Sequence, residues 1–249
     1  MELSSGIIQR ITQDSLRDFQ SDYCSSKNTI VFDSYRGNDS RNLFTLDLDT
    51  DELIQLTELE TRDGHPVWSP DCRSIAFQSS RNGNPDVYIM DSIGDNMKQL
   101  TFNSSFDGIP KWSPNGEIIA FNSSRTGSPN VFLLNVETTD EIQVTSDEKY
   151  NFIQDWISDT KLLIISDVSE KRQLQIVDIG NNTTKLLPTY LDVTYARANR
   201  NGNIVFTQKD KSGEIQLYLL EVSTLTQKQL STTSGEKRFP TFMEYLDEN

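Results

Sequence analysis

No segment of this 249-residue chain keeps a helical period, and no apolar run approaches the roughly 20 residues that a membrane-spanning helix requires. A helix bundle and helical membrane insertion are excluded on that ground. Histidine is nearly missing, since His65 stands alone. A zinc or manganese centre of several imidazoles cannot be assembled within one such chain. Ser-His-Asp catalysis would have to run through His65, and neither G-x-S-x-G nor H-E-x-x-H occurs. Cysteine is scarce: Cys24 and Cys72 are too few to staple a small secreted scaffold. They do not occupy matching places in the repeat described below, so they read as two free thiols. Positive charge is in deficit, with 23 Lys and Arg against 37 Asp and Glu and a net charge of −14. A surface so acidic repels phosphate backbones, which removes nucleic acid as a general partner and suits basic peptides, cationic ligands or metal ions. Residues 1–10 lack the charged-then-apolar order of a secretory signal. The chain is cytoplasmic if Met1 is the native start, and periplasmic or exported if a signal was removed.

What the chain has in abundance is repetition. From His65 it reads H-P-V-W-S-P-D-C-R-S-I-A-F-Q-S-S-R-N-G-N-P-D-V-Y-I-M-D, closed by Q-L-T at Gln99 to Thr101. About 44 residues later it reads I-P-K-W-S-P-N-G-E-I-I-A-F-N-S-S-R-T-G-S-P-N-V-F-L-L-N from Ile109, closed by Q-V-T at Gln143 to Thr145. Weaker copies flank these two, with Tyr23 and Trp156 standing where Trp68 stands and Arg197 near that position in the most diverged copy. Each copy decodes into four strands, because short runs rich in Ile, Val, Phe and Tyr are strand-like. The S-P-D and S-P-N-G steps are turns, in which proline presets φ and Asp, Asn or Gly closes the bend. The R-N-G-N-P and R-T-G-S-P stretches are hairpin loops. One such sheet cannot bury both faces alone, whereas sheets packed face to face around an axis can.

The pattern P-x-W-S-P-D/N-G, then I-A-F-x-S-x-R, then an aromatic-bearing strand, then Q-L-T resembles the TolB-type propeller repeat. That repeat occurs in the periplasmic TolB protein, in tricorn-like proteases and as accessory domains of peptidases. The resemblance implies an all-β fold, a β-propeller of four-stranded antiparallel blades, and says little about function because the repeated residues are mainly those that build a blade. The blades fall at about 18–57, 63–101, 107–145, 151–188 and 192–232 within a single domain, 1–249.

The ends carry further pieces of the repeat. Residues 6–12 look like the last strand of a blade, and residues 238–242 like the first strand of another. Six repeats of about 44 residues would need about 264, some 15 more than the chain has. The expectation is therefore five full blades plus a partial sixth at a seam of 1–12 with 238–249, on the six-bladed frame usual for this repeat.

The candidate site comes from the repeat as well. Five residues before the aromatic position stand Asp18, Asp63, Asp107, Asn151 and Asp192, one carboxylate or amide ahead of each innermost strand. Such a row is expected to surround one mouth of a central channel, with His65 beside it. It would serve a divalent cation such as calcium, or the basic end of a peptide; no other cofactor is implied. The bland alternative is that each group braces a turn or the next blade. Arg36, Arg81 and Arg125 recur after the second strand, either as an anion-binding rim or as ion pairs within the blade, Arg81 with Asp86 or another acidic neighbour. Tyr23, Trp68, Trp112 and Trp156 either line a funnel or wedge between blades. With no catalytic motif, the leading expectation is a noncatalytic module that binds a protein, peptide or small ligand at the channel mouth or on the loop face. The alternatives are a glycoside-active or other hydrolytic propeller using channel carboxylates, and an accessory or regulatory domain of a larger enzyme or sensor. A protein or peptide partner is expected, and the oligomeric state is left open.

Overall fold

A computed structural model of the chain describes residues 11–12, 17–36, 40–58, 60, 62–146, 149–189, 192–199 and 201–231. The described residues form five antiparallel sheets of four strands, each in sequence order from the inside outward. The first contains β1 (Asp18–Cys24), β2 (Thr29–Ser34), β3 (Asn42–Asp47) and β4 (Leu53–Gln55). The second contains β5 (Asp63–Trp68), β6 (Ser74–Ser79), β7 (Asp86–Asp91) and β8 (Lys98–Gln99). The third contains β9 (Asp107–Trp112), β10 (Ile118–Ser123), β11 (Asn130–Asn135) and β12 (Glu141–Gln143). The fourth contains β13 (Asn151–Ser158), β14 (Lys161–Val168), β15 (Lys171–Asp178) and β16 (Thr183–Leu186). The fifth contains β17 (Val193–Ala198), β18 (Asn203–Lys209), β19 (Ile215–Glu221) and β20 (Thr226–Gln229). Among the described residues this is an all-β propeller of five blades, with no strand of a partial sixth. The proposed seam, 1–12 with 238–249, lies outside the described residues except for positions 11 and 12.

The second strand of each blade reads as an unbroken apolar run because both its faces are covered. Ile75, Ala76 and Phe77 are fully buried, as are Ile119, Ala120 and Phe121. In the second, third and fourth blades one face of this run packs on the preceding blade and the other on the following one. Val67, Ala76 and Val87 of the second blade thus share a cluster with Ile119, Phe121 and Leu134 of the third. Trp68 and Trp156 are buried between blades, and Trp112 is partly buried against the cluster joining blades two and three. The Q-L-T signature has a local cause. The hydroxyl oxygens of Thr57, Thr101 and Thr145 accept the backbone N–H of Leu43, Val87 and Val131 at 2.9–3.0 Å, tying the outermost strand to the third.

The expectation of two free thiols is overturned, because Cys24 and Cys72 form a disulfide, with Cα atoms 5.9 Å apart. Cys24 ends the innermost strand of the first blade, and Cys72 lies in the β5–β6 turn of the second. Packing of adjacent blades, not equivalence within the repeat, brings them together. Cys72 holds a φ of 57° where the matching turn of the third blade has Gly116 at 76°. A residue with a Cβ at this left-handed position points its side chain in a direction glycine leaves empty, and here it meets the neighbouring blade.

Candidate functional site

The five innermost strands enclose an axial channel, and a bulge in each of them aims its side chains. In the second blade Gly64 pairs with Gln78 and Val67 with Ala76, so β5 carries one residue more than β6. Equivalent irregularities interrupt β1, β9, β13 and β17. A bulge bends the strand and re-aims a side chain. Here Gln20, His65 and Ile109 take positive φ values of 34°, 53° and 58°, uncommon for residues other than glycine and an outlier for a β-branched one. All three line a chamber of about 250 Å³ at the end of the channel where the innermost strands begin.

Deeper in, one position from each strand faces the axis. The cross-strand partners align Asp22, Val67, Lys111, Asp155 and Arg197, which lie opposite Val31, Ala76, Ala120, Leu163 and Val205. Arg197 therefore stands one residue before the aromatic position, which Ala198 occupies opposite Ile204. Lys111 and Arg197 line both the first chamber and a second one of about 240 Å³ toward the far end. Asp22 and Asp155 line only the second.

These charges are unevenly paired. Asp22 Oδ2 accepts the Trp68 N–H at 2.8 Å, and Asp155 accepts the N–H groups of Trp156 and Ala198 at 2.9 and 3.1 Å. Both carboxylates thus brace the adjoining strands. Arg197 stands 3.9 Å from Asp22 and 3.7 Å from Asp155, beyond good hydrogen-bond length, and its Nε has no acceptor. The ammonium of Lys111, a residue only 8% exposed, has no hydrogen bond or ion pair among the described residues. Burial, followed by the nearby Arg197 cation, pushes Lys111 down to about 7 against the pull of Asp155 and Asp22. Burial also lowers His65 to about 3, with Lys111, Arg41 and Arg197 adding to the effect. The imidazole is neutral at physiological pH. Burial works against the charge of Arg197, but Tyr195, Asp155 and Asp22 together hold its guanidinium firmly protonated.

Four members of the row read from the sequence begin β1, β5, β9 and β13, while Asp192 falls one residue before β17, where Val193 holds the matching place, and all five are engaged. Arg36 bonds both oxygens of Asp18 at 2.7 Å, Arg81 both oxygens of Asp63 at 3.2–3.3 Å, and Arg125 one oxygen of Asp107 at 2.6 Å. Arg81 therefore pairs with Asp63, not with Asp86, whose carboxylate takes Thr101 and Gln99. Each guanidinium also lies over two rings of its own blade, such as Phe121 and Phe132 for Arg125. In the fourth blade Asn151 accepts the Ser166 hydroxyl and donates to Asn130 at 3.2 Å. In the fifth, Asp192 accepts the Arg172 N–H at 3.1 Å. Asp63 and Asp107 are fully buried and Asn151 nearly so. His65 alone of the predicted residues lines the first chamber. Sequence reasoning passed over Lys111, Gln154, Arg172 and Tyr195. For Lys111 the signal was there in the repeat, one residue before the aromatic position, but hidden because the five residues at that place differ in charge, while Gln154, Arg172 and Tyr195 lie outside that position.

Known proteins share this architecture. TolB from Acinetobacter baumannii superimposes with a TM-score of 0.80 at 23% identity, over 91% of this chain and 57% of that one. A putative TolB from Agrobacterium tumefaciens gives 0.77 at 15%, over 89% and 83%. A puromycin hydrolase gives 0.69 at 14%, over 89% of this chain and 38% of the hydrolase. At these identities the likeness is one of fold, and the chain spans little more than half of the Acinetobacter protein. No curated protein sequence matches the chain. The TolB beta propeller domain pattern itself matches residues 23–246, and the chain belongs to that family.

Proposed function

We propose that the protein is a noncatalytic binding module which takes a protein or peptide segment at the mouth of the channel where the innermost strands begin. The first chamber carries this reading: it draws walls from all five blades and mixes apolar with polar groups, the composition of a ligand site. Phe152 lines it and stacks on Tyr150, which is 53% exposed. Exposed aromatics beside a cavity are common anchors for a partner. The TolB fold of two structural neighbours agrees with a binding role, although the puromycin hydrolase has the same fold within an enzyme.

The channel acids support binding over hydrolysis. Asp22 and Asp155 spend lone pairs on backbone N–H groups of their own and adjoining strands, and the described walls of the first chamber include no carboxylate. A divalent cation such as calcium is not part of this reading, because guanidinium groups already engage Asp18, Asp63 and Asp107.

Affinity selection of a random displayed peptide library on the wild-type protein tests the proposal. The selected peptides are then measured against Thr194→Trp, which puts bulk into the chamber from an exposed wall position. A loss of about ten-fold or more, equal to about 1.4 kcal/mol, is expected. Failure to enrich peptides, or equal binding to Thr194→Trp, would overturn it.

A further inference from the structure

Resting on that reading, we infer that the first chamber recognises a carboxylate of the bound peptide, held between the Lys111 ammonium and the Arg197 guanidinium. The protein is strongly acidic overall, with a net charge of −14. Yet the charged groups described along this chamber are Lys111, Arg172 and Arg197, with no acid among them. The two channel acids lie on the far side of the same cations.

Lys111 is the second observation. Burying a cation without a partner is costly, and proteins ordinarily pair such a group. Here the residue is more than nine-tenths buried, lines the cavity, and its ammonium has no partner among the described residues. Arg197 adds an Nε–H without an acceptor. These groups are all donors, and a carboxylate is an acceptor only, matched in geometry to a guanidinium fork. Gln154 and Tyr195 line the same walls, the Gln154 amide being held by the Ile153 carbonyl oxygen at 3.2 Å and the Ala196 N–H at 3.1 Å. The chamber holds roughly eight waters' worth of space at about 30 Å³ each, enough for one acidic group and its immediate neighbours. The acidic exterior opposes polyanions such as nucleic acids.

The groups facing Lys111 are Arg197 from β17, Asp155 from β13, Asp22 from β1 and the neutral His65 from β5. Among them Lys111 changes charge near neutrality, being pushed down to about 7 chiefly by burial. Carboxylate affinity is therefore expected to fall as pH rises through that value, while Arg197 retains some binding above it.

The test follows the imidazole NMR signals of His65, the sole histidine and a wall residue of the chamber. The probes are N-acetylglycine for a peptide C-terminus, N-acetylglutamate α-amide for an acidic side chain, inorganic phosphate, and acetamide as the neutral control. Saturable shifts are expected with one or both carboxylates and not with acetamide, and the stronger carboxylate identifies the source. Lys111→Met, which removes an unpaired buried charge and is expected to fold, should weaken binding about ten-fold or more, in line with a lost charge-assisted hydrogen bond. Arg197→Lys provides a second variant that retains the charge and loses the fork. Equal shifts with acetamide, phosphate binding tighter than both carboxylates, or unchanged affinity in Lys111→Met would overturn the inference. Peptides that bind wild type but not Thr194→Trp, and bind equally well after their carboxylates are amidated, would overturn the inference and leave the binding module standing.

Discussion

Arg125 reaches back eighteen residues to Asp107, with Nη2 at 2.6 Å from the carboxylate and the guanidinium over Phe121 and Phe132. Arg81 with Asp63 and Arg36 with Asp18 repeat the spacing. Each pair fastens the hairpin after the second strand to the start of the innermost strand. The carboxylate of Asp107 is fully buried, so removing its cation leaves an uncompensated charge. Arg125→Met is expected to lower stability by about 3–5 kcal/mol, read from urea unfolding, with Asp107→Asn as the other single variant. Arg125→Met with Asp107→Asn should recover part of that loss, because the partner left behind no longer carries charge. Additive effects in this double-mutant cycle would show that the pair is not coupled.

The bond between Cys24 and Cys72 closes a loop spanning a sequence separation of 48 residues. By the chain-entropy relation, a crosslink of that span restricts the unfolded state by about 4 kcal/mol, an upper value for what its removal costs. Protein made under oxidising conditions should show no thiol reactive toward Ellman's reagent when unfolded in urea, and two after reduction. Reduction, or Cys24→Ser with Cys72→Ser, should lower the melting temperature. Two reactive thiols before reduction would contradict the pairing.

The blades were legible in the sequence because blade building is local. Turn residues such as Ser69, Pro70 and Asp71, the run Ile75-Ala76-Phe77 and the Thr101 hydroxyl each act within one sheet, so they recur together. The channel was not legible, because it is made between blades. Repetition pointed to Asp18, Asp63 and Asp107, and the structure joins them to Arg36, Arg81 and Arg125, also repeated, in a brace within each blade. The axis-facing position holds Asp22, Val67, Lys111, Asp155 and Arg197, and this variation hides it from a search for likeness. The disulfide escaped for the same reason: Cys24 and Cys72 occupy different places in their repeats and meet only because their blades pack together.

Lys111 should also leave a mark on the stability of the free protein. The usual lysine value is 10.5, and in the fold it is pushed down to about 7. Between those values the unfolded chain holds a proton that the folded chain has released, so this group makes stability rise with pH from about 7 to 10.5. Lys111→Met removes that contribution. The difference in urea midpoint between variant and wild type is expected to favour the variant at pH 7 and to shrink toward pH 10. A difference independent of pH would show that Lys111 titrates normally.

His65 gives the opposite end of the pH scale. Its imidazole is pushed from 6.5 to about 3 by burial first and then by the Lys111, Arg41 and Arg197 charges. Below 6.5 the unfolded chain takes up a proton that the folded chain refuses until about 3, so the contribution of His65 is lost as pH falls through that window. Its backbone N–H donates to Asp33 Oδ1 at 3.3 Å, and Asp33 opposes it. Burial raises the Asp33 carboxyl from 3.8 to about 6 despite Arg41. Asp33 therefore contributes stability that is full below about 3.8 and lost as pH rises toward 6. Whole-protein stability near pH 5 mixes the two, whereas the imidazole resonances of a single histidine do not. They are expected to stay at neutral-form shifts from pH 8 down to at least 4.5, while His65→Gln removes the loss on the acid side and leaves the opposing Asp33 slope exposed, with stability falling as pH rises from about 3.8 to 6. An imidazole titration centred near 6.5 would place His65 in open solvent and remove it from the chamber wall.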